Sequence, residues 1–178
     1  MSNNPTVQEL LKRNQAISAT HSPIPTLAEL SDLGIDRPHL IVLTCIDPRC
    51  VPEKYLDLHF GEGVLVMRNA GGHVIPALND ILAMDAVFKI NDIMVIHHTD
   101  CGTSHYTDDL VRADLKNRLP SNPEIGTMTF GAVTDIPQSV KDDLAILRAS
   151  PYVREELKSH AYGFVFDLKT GKLSSINY

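Results

Sequence analysis

Three short apolar runs in the first hundred positions predict buried β-strands. They cover residues 39–44, 64–67 and 93–96, and each is rich in Val, Ile, Leu or Met. The stretches between them, residues 51–58 and 76–90, carry apolar positions at helical spacing. Continuous apolar strands that alternate with helices indicate a parallel sheet covered by helices on both faces.

The N-terminal segment has a helical pattern of its own. Val7, Leu10 and Leu11 recur at helical spacing, with Thr6 as the expected N-cap and Glu9 three residues later as its capping-box partner. This pattern predicts a helix over Val7–Ser18, followed after a proline-rich break by a short helix over residues 26–33.

The second half of the chain continues the alternation of helices and strands. We expect helices over residues 103–118, 138–149 and 152–160, a long loop over residues 119–136, and two strands that flank a turn at residues 169–171. The whole pattern predicts one α/β domain over residues 1–178, with a mostly parallel sheet flanked by helices and an N-terminal helical arm of about residues 1–20.

Composition narrows the function classes. The chain has 178 residues, an ordinary apolar content of 43% and a net charge of −6, which argues against nucleic acid or an anionic membrane as a partner. Its three cysteines lack the spacing of a disulfide framework. No signal-peptide core opens the sequence and no apolar run is long enough to span a bilayer, so we expect a cytoplasmic protein.

A candidate metal site lies at the ends of two predicted strands. Cys45 ends the first strand, whereas His98 and Cys101 follow the third. Because functional groups gather at the carboxyl ends of parallel strands, the three side chains are expected to converge. Two thiolates and one imidazole suit zinc and leave a fourth position for water, whose pKa zinc lowers toward 7. His97 is the competing imidazole, but neighbouring side chains of a strand point to opposite faces, and His98 is nearer to Cys101.

Asp47 and Arg49 lie next to the candidate ligand Cys45. Two positions apart, they can form a bidentate carboxylate–guanidinium pair, which would keep Asp47 ionised and oriented toward a metal-bound water. An ordinary surface salt bridge is the alternative, but its place beside Cys45 favours a functional pair.

Three separated motifs carry a family resemblance. The sequences CIDPR at residues 45–49, RNAGG at 68–72 and HTDCG at 98–102 resemble the β-class carbonic anhydrases, and the similarity covers about residues 40–104. The resemblance implies an α/β catalytic domain with one Zn²⁺ per chain held by Cys45, His98 and Cys101. It also implies a dyad formed by Asp47 and Arg49 and a substrate contact from the backbone N–H of Gly102.

The same resemblance implies an activity and an assembly. The expected reaction is the reversible hydration of CO₂ to bicarbonate, and the alternative is hydrolysis of carbonyl sulfide to CO₂ and hydrogen sulfide. The motif forms at 68–72 and 97–102 are similar to a branch that includes hydrolases of carbonyl sulfide and carbon disulfide. A homodimer or a multiple of dimers is implied, with the N-terminal helix reaching across the neighbouring subunit.

Two residues depart from the family pattern. Pro48 replaces a small residue inside the dyad motif, and Cys50 follows the dyad, where we interpret it as a non-ligand. His73, His97 and His105 are candidate proton shuttles by their ordinary pKa alone.

Two other function classes stay open. A redox or metal-storage protein is disfavoured because no Cys-x-x-Cys pair is present. An inactive zinc-binding module is disfavoured because both dyad residues, Asp47 and Arg49, are retained.

Overall fold

The computed structural model describes residues 4–35 and 37–177. The chain divides into two compact units, residues 1–35 and 36–178. The first three residues of the predicted arm lie outside the described residues. Among the described residues, no helix is both long enough and apolar enough to cross a membrane.

The N-terminal unit contains two capped helices. Helix α1 spans Val7–Ser18, as the sequence predicts, and its capping box is present: Glu9 N donates to Thr6 Oγ1 at 3.2 Å, and Thr6 N donates to the Glu9 carboxylate at 2.6 Å. Helix α2 spans Leu27–Asp32, within the predicted 26–33, and begins with the same Thr-x-x-Glu arrangement. Local capping thus explains where both helices start.

A five-stranded sheet forms the centre of the larger unit. Its order is β2-β1-β3-β4-β5, with parallel pairing throughout except for the antiparallel pair β4–β5. This arrangement confirms the predicted α/β fold class. The strands are β1 (Leu40–Cys45), β2 (Val64–Asn69), β3 (Asp92–His98), β4 (Ala161–Phe166) and β5 (Leu173–Ile176).

In the described part of the larger unit, five α-helices accompany the strands, and one predicted helix is divided. The region predicted as one helix over residues 103–118 contains a 3₁₀ turn at Gly102–Ser104 and a helix that starts only after Thr107. The Thr107 hydroxyl accepts from Leu110 N at 3.2 Å and caps that helix. The predicted loop 119–136 contains a 3₁₀ turn at Pro123–Thr127. The helices are α3 (Pro52–Tyr55), α4 (Val74–Phe88), α5 (Asp108–Arg118), α6 (Ile136–Ala149) and α7 (Glu155–Ser159).

Side chains of the central strands alternate between two apolar layers. Ile41 and Leu43 belong to the larger core cluster, which α4 and α6 cover, whereas Val42 and Ile96 belong to a smaller cluster on the other face. Strand β1 is buried on both sides from Ile41 to Cys45, as expected for a central strand of a parallel sheet.

The topology creates a switch point at one edge of the sheet. Strand β1 pairs with β2 on one side and with β3 on the other, so the chain leaves β1 in one direction and later returns in the opposite one. The carboxyl ends of β1 and β3 therefore lie side by side, and ligand sites of open α/β sheets form at such places.

Candidate active site

Three buried donor groups meet at the carboxyl ends of β1 and β3. Cys45, His98 and Cys101 are at most 4% exposed, and their donor atoms lie within 4.8 Å of one another. The Sγ atoms of Cys45 and Cys101 are 3.7 Å apart and form no disulfide. Two Zn–S bonds of about 2.3 Å at a tetrahedral angle would separate the sulfurs by about 3.8 Å. The thiol pair is thus already spaced for a zinc ion.

The ring of His98 is oriented as a metal ligand would be. Its Nδ1 lies 2.9 Å from the backbone oxygen of Thr99, so the ring proton is fixed on Nδ1. Its Nε2 is buried without a hydrogen-bond partner in the described part of the chain. A buried nitrogen lone pair beside two thiols fits a bound cation.

His97, the competing imidazole, belongs to the other face of β3. Its Nδ1 lies 2.7 Å from Ser139 Oγ, and its Nε2 lies 3.2 Å from a carboxylate oxygen of Asp143. The structure therefore brings His98, and not His97, together with the two cysteines, as strand alternation predicts.

The two thiols share a proton unequally. The sulfurs of Cys45 and Cys101 are in hydrogen-bond contact at 3.7 Å, and Thr103 Oγ1 donates to the sulfur of Cys101 at 3.1 Å. Mainly because of the contact with Cys45, the pKa of Cys101 is lowered to about 6, while the contact with Cys101 raises the pKa of Cys45 to about 11. The lowered pKa of Cys101 favours its thiolate, which is the form that binds metals.

Asp47 and Arg49 form the predicted bidentate pair. Arg49 Nε donates to Asp47 Oδ1 at 3.0 Å, and Arg49 Nη2 donates to Asp47 Oδ2 at 2.7 Å. These hydrogen bonds lower the pKa of Asp47 to about 2. Asp47 Oδ2 lies 3.9 Å from His98 Nε2, so an ionised carboxylate faces the donor cluster.

A proline turn brings the dyad together. Cys50 N donates to Asp47 O at 2.9 Å, which closes a four-residue turn with Pro48 at its second position. Proline favours that position because its φ is already fixed near the required value. Arg49 N also donates to Asp47 Oδ1 at 2.8 Å. The departure at Pro48 thus stiffens the turn that aligns the pair.

Asp100 is a contact of the dyad that the sequence did not reveal. Its carboxylate accepts from Arg49 Nη1 at 2.8 Å and its backbone oxygen accepts from Arg49 Nη2 at 2.9 Å. Asp100 adopts a left-handed conformation with φ of 54°, and its second carboxylate oxygen lies 3.0 Å from His105 Nε2. Its position one residue before Cys101 was the available signal.

Arg68 and Gly72 hold the segment that carries Cys45. Arg68 donates to the backbone oxygens of Cys45, Asp47 and Cys50 at 2.7–3.1 Å. Gly72 has φ of 80°, and a Cβ there would lie 2.9 Å from the backbone carbon of Thr44. The motif at residues 68–72 therefore shapes the loop after β1 and does not supply the candidate metal ligands.

The remaining predicted residues lie around this cluster. Gly102 is exposed and opens the 3₁₀ turn directly after Cys101. Cys50 is buried in the smaller apolar cluster and is not part of the three-residue donor group. The arrangement can hold one soft divalent cation and orient a water molecule beside it, with Asp47 as the acceptor.

Comparison with known proteins agrees with this geometry. The family model of carbonic anhydrases matches residues 40–173. Beta-carbonic anhydrase 1 of Mycobacterium tuberculosis is 30% identical, with 78% of this chain and 82% of that protein covered. A carbon disulfide hydrolase of Saccharolobus solfataricus is also 30% identical, with 94% of this chain and 87% of that protein covered.

A solved structure extends the likeness over the whole chain. The crystal structure of a carbonic anhydrase from Streptococcus mutans superposes with a TM-score of 0.78 at 28% identity, covering 99% of both chains. Sequence, fold and donor geometry thus agree. The chain belongs to the β-carbonic anhydrase family, which includes carbonic anhydrases and carbon disulfide hydrolases.

Proposed function

We propose that this protein is a zinc-dependent carbonic anhydrase that converts CO₂ and water to bicarbonate and a proton. Cys45, His98 and Cys101 would hold one Zn²⁺ per chain. The observation that carries the proposal is the 3.7 Å separation of the two sulfurs beside His98 Nε2, which has no hydrogen-bond partner among the described residues. A single catalytic domain would use this one centre.

The dyad gives the site its chemistry. Zinc would supply the Lewis acidity that makes water nucleophilic at neutral pH. Asp47 stays ionised because Arg49 lowers its pKa to about 2, so its carboxylate accepts a hydrogen bond and orients the attacking water. Arg49 also holds the Asp47 carboxylate 3.9 Å from His98 Nε2 and so keeps it from moving onto the metal position. The backbone N–H of Gly102 is proposed to contact an oxygen of the substrate or product.

A proton must leave the site in each cycle. Of the three candidate histidines, His97 is buried, His73 is partly buried against Asp143, and His105 is exposed. His105 is also linked through Asp100 to Arg49. We therefore assign proton exchange with solvent to His105.

Hydrolysis of carbonyl sulfide is the second candidate function. In that reaction one water converts carbonyl sulfide to CO₂ and hydrogen sulfide by the same attack on a linear carbon. The similarity to the carbon disulfide hydrolase, which covers 94% of this chain, supports it. Apolar fit alone discriminates such substrates by about 1–3 kcal/mol, so a strong preference would also need selective product release.

We further propose that the protein is a cytoplasmic homo-oligomer, a dimer or a multiple of dimers. Helix α1 has no buried residue, and its apolar side chains are available to a partner subunit. A related pair of β-carbonic anhydrases from Sordaria macrospora is described as tetrameric. No nucleic acid or membrane partner is proposed.

One preparation can separate the candidate functions. Wild-type protein with one equivalent of zinc is assayed for CO₂ hydration by stopped flow and for sulfide release from carbonyl sulfide and carbon disulfide. A higher kcat/KM for CO₂ supports the carbonic anhydrase, and a higher value for carbonyl sulfide supports the hydrolase. If none of the three substrates is turned over, both proposals are wrong and the chain is an inactive zinc-binding module.

A further inference from the structure

A second cluster of donor groups lies on the opposite face of β3. His73, His97 and Asp143 offer atoms that all lie within 4.8 Å of one another. His73 Nδ1 is 2.7 Å and His97 Nε2 is 3.2 Å from the same carboxylate oxygen, Asp143 Oδ2. This cluster contains no thiol and shares no residue with the site described above.

The ring of His73 occupies a slot built by two glycines. Gly71 and Gly131 both have a positive φ, and a Cβ at either position would lie within 2.7 Å of the ring. The amide of Asn69 further fixes the backbone of His73, because Oδ1 accepts from His73 N and Nδ2 donates to His73 O, both at 2.8 Å. The backbone around the His73 ring therefore fixes its position.

Counting protons leaves one nitrogen without a partner. Ser139 has a single hydroxyl hydrogen, which it donates to Ile136 O at 2.8 Å, so Ser139 Oγ accepts from His97 Nδ1–H at 2.7 Å. In neutral His97 the Nε2 atom then carries a lone pair. That atom is buried, has no hydrogen-bond partner among the described residues, and faces the carboxylate of Asp143.

A hydrogen-bonded ion pair explains only part of this arrangement. Protonated His73 can donate to Asp143, and Val74 N donates to the other oxygen, Asp143 Oδ1, at 2.7 Å. The lone pair of His97 would still face a carboxylate oxygen, which is unfavourable in a site that excludes water. A cation between the three groups would bind that lone pair.

We propose that His73 Nδ1, His97 Nε2 and Asp143 Oδ2 form a second metal site, which takes a divalent transition-metal cation. Two imidazoles and one carboxylate are a common ligand set for Zn²⁺, Co²⁺ and Fe²⁺. Each ligand is also oriented through its other polar atom, as in established metal sites: His73 Nε2 by Gly131 O, His97 Nδ1 by Ser139, and Asp143 Oδ1 by Val74 N.

A metal ion can reach this site, and its binding releases one proton. A cavity of about 560 Å³ is lined by His73, Ser139 and Asp143, which opens a route for the ion and for water at the remaining positions. Binding replaces the proton that His73 Nδ1 shares with Asp143, so one proton is released to solvent. The two atoms must separate from 2.7 Å to about 3.3 Å, the spacing of two ligands at about 2.0 Å in a tetrahedron.

Titration of the metal-free protein with Co²⁺ tests the proposal. Cobalt bound by thiolates shows a strong charge-transfer absorption that a nitrogen and oxygen site lacks. We expect two equivalents to bind, with the thiolate band saturating at one. Binding of only one equivalent to the wild-type protein would overturn the proposal without any variant.

Substitutions assign the second equivalent. Asp143→Asn and His73→Gln should each raise the Kd of the second Co²⁺ more than about tenfold and leave the thiolate band intact. Loss of a residue that only orients a ligand already weakens metal binding about 10- to 100-fold, and loss of a ligand itself should weaken it more. Asp142→Asn changes the neighbouring carboxylate of the same cavity and should leave both equivalents. Retention of the second equivalent in Asp143→Asn, with native circular dichroism, would show that the ion binds elsewhere and would refute the site.

Discussion

Arg49 and Asp100 are joined by two hydrogen bonds although 51 positions separate them in the chain. The other edge of the same guanidinium holds both carboxylate oxygens of Asp47. The loop after β1 and the loop after β3 are thus connected at the point where the candidate ligands Cys45 and Cys101 meet. The position of Asp47 depends on a residue from the neighbouring loop.

Substitution of Asp100 should weaken catalysis without removing zinc. Asparagine tolerates the left-handed backbone and keeps the backbone carbonyl contact, so Asp100→Asn removes the carboxylate charge that faces Arg49 and His105. Because the Asp100 side chain is 61% exposed, water screens its charge, and kcat should fall by no more than about 5-fold. Asp109→Asn, an exposed carboxylate on α5, is the control. An unchanged kcat would contradict the role of Asp100.

The dyad itself should be essential for turnover and dispensable for metal binding. Asp47→Asn preserves the shape of the side chain but removes the charge that orients water, so we expect activity to fall at least about a hundredfold with zinc at one equivalent. Arg49→Ala frees Asp47, which lies 3.9 Å from His98, to occupy the open metal position. Full activity in either variant, measured with stoichiometric zinc, would rule out this role.

Zinc content should separate Cys101 from Cys50. Cys101→Ala removes one of the three buried candidate ligands, so the purified protein should contain only a small fraction of one equivalent of zinc. Cys50→Ala is the matched control, because Cys50 is equally buried but lies in the apolar cluster. Metal analysis by mass spectrometry checks both, and wild-type zinc content in Cys101→Ala would show that the ligand assignment is wrong.

The sequence was sufficient for the fold because the central strands are apolar on both faces. The predicted strands ended at Thr44, Met67 and Ile96, but the parallel pairing continues through Cys45, Arg68–Asn69 and His97–His98. Backbone hydrogen bonds do not depend on side-chain polarity. The missing residues of each strand are therefore the ones that carry the site.

The contacts around the candidate site were harder to predict. Alternation along β3 correctly separated His97 from His98, but no local pattern shows that Asp100 would bind Arg49 or that Asp143 would join His73. These contacts join residues from different elements, and only the folded topology brings those elements together. Spacing along a sequence reports neighbours within one element and not across elements.

The pair of His73 and Asp143 should make stability depend on pH. Although burial opposes it, hydrogen bonds from His73 and Val74 N lower the pKa of Asp143 from 3.8 to about 2, whereas the contact with Asp143 raises the pKa of His73 above 6.5. Asp143, whose pKa is lowered, stabilises the fold above pH 3.8, and this effect is lost as the pH falls toward 2. His73, whose pKa is raised, stabilises the fold below pH 6.5, and this effect is lost as the pH rises above its raised pKa.

Asp143→Asn should therefore destabilise the protein most between about pH 4 and 6.5. Breaking a buried ion pair costs about 3–5 kcal/mol. We expect the difference in Tm from wild type to narrow toward pH 2 and again at alkaline pH, with both proteins carrying one equivalent of zinc. Asp142→Asn is the control for charge alone. A difference that is constant from pH 2 to 9 would show that the two groups do not interact as a charged pair.

Assembly should depend on the apolar side of α1. Val7, Leu10 and Leu11 are 71%, 49% and 53% exposed, and a helix of 12 residues is marginal in water unless its apolar side is covered. We expect sedimentation to give at least a dimer at micromolar concentration. Leu11→Asp should shift the protein toward monomer, whereas Ala16→Asp adds the same charge on the opposite side of the helix and should not. A wild-type protein that is folded, active and monomeric would refute the prediction, and equal dissociation by both variants would show that charge, rather than the apolar side of α1, controls assembly.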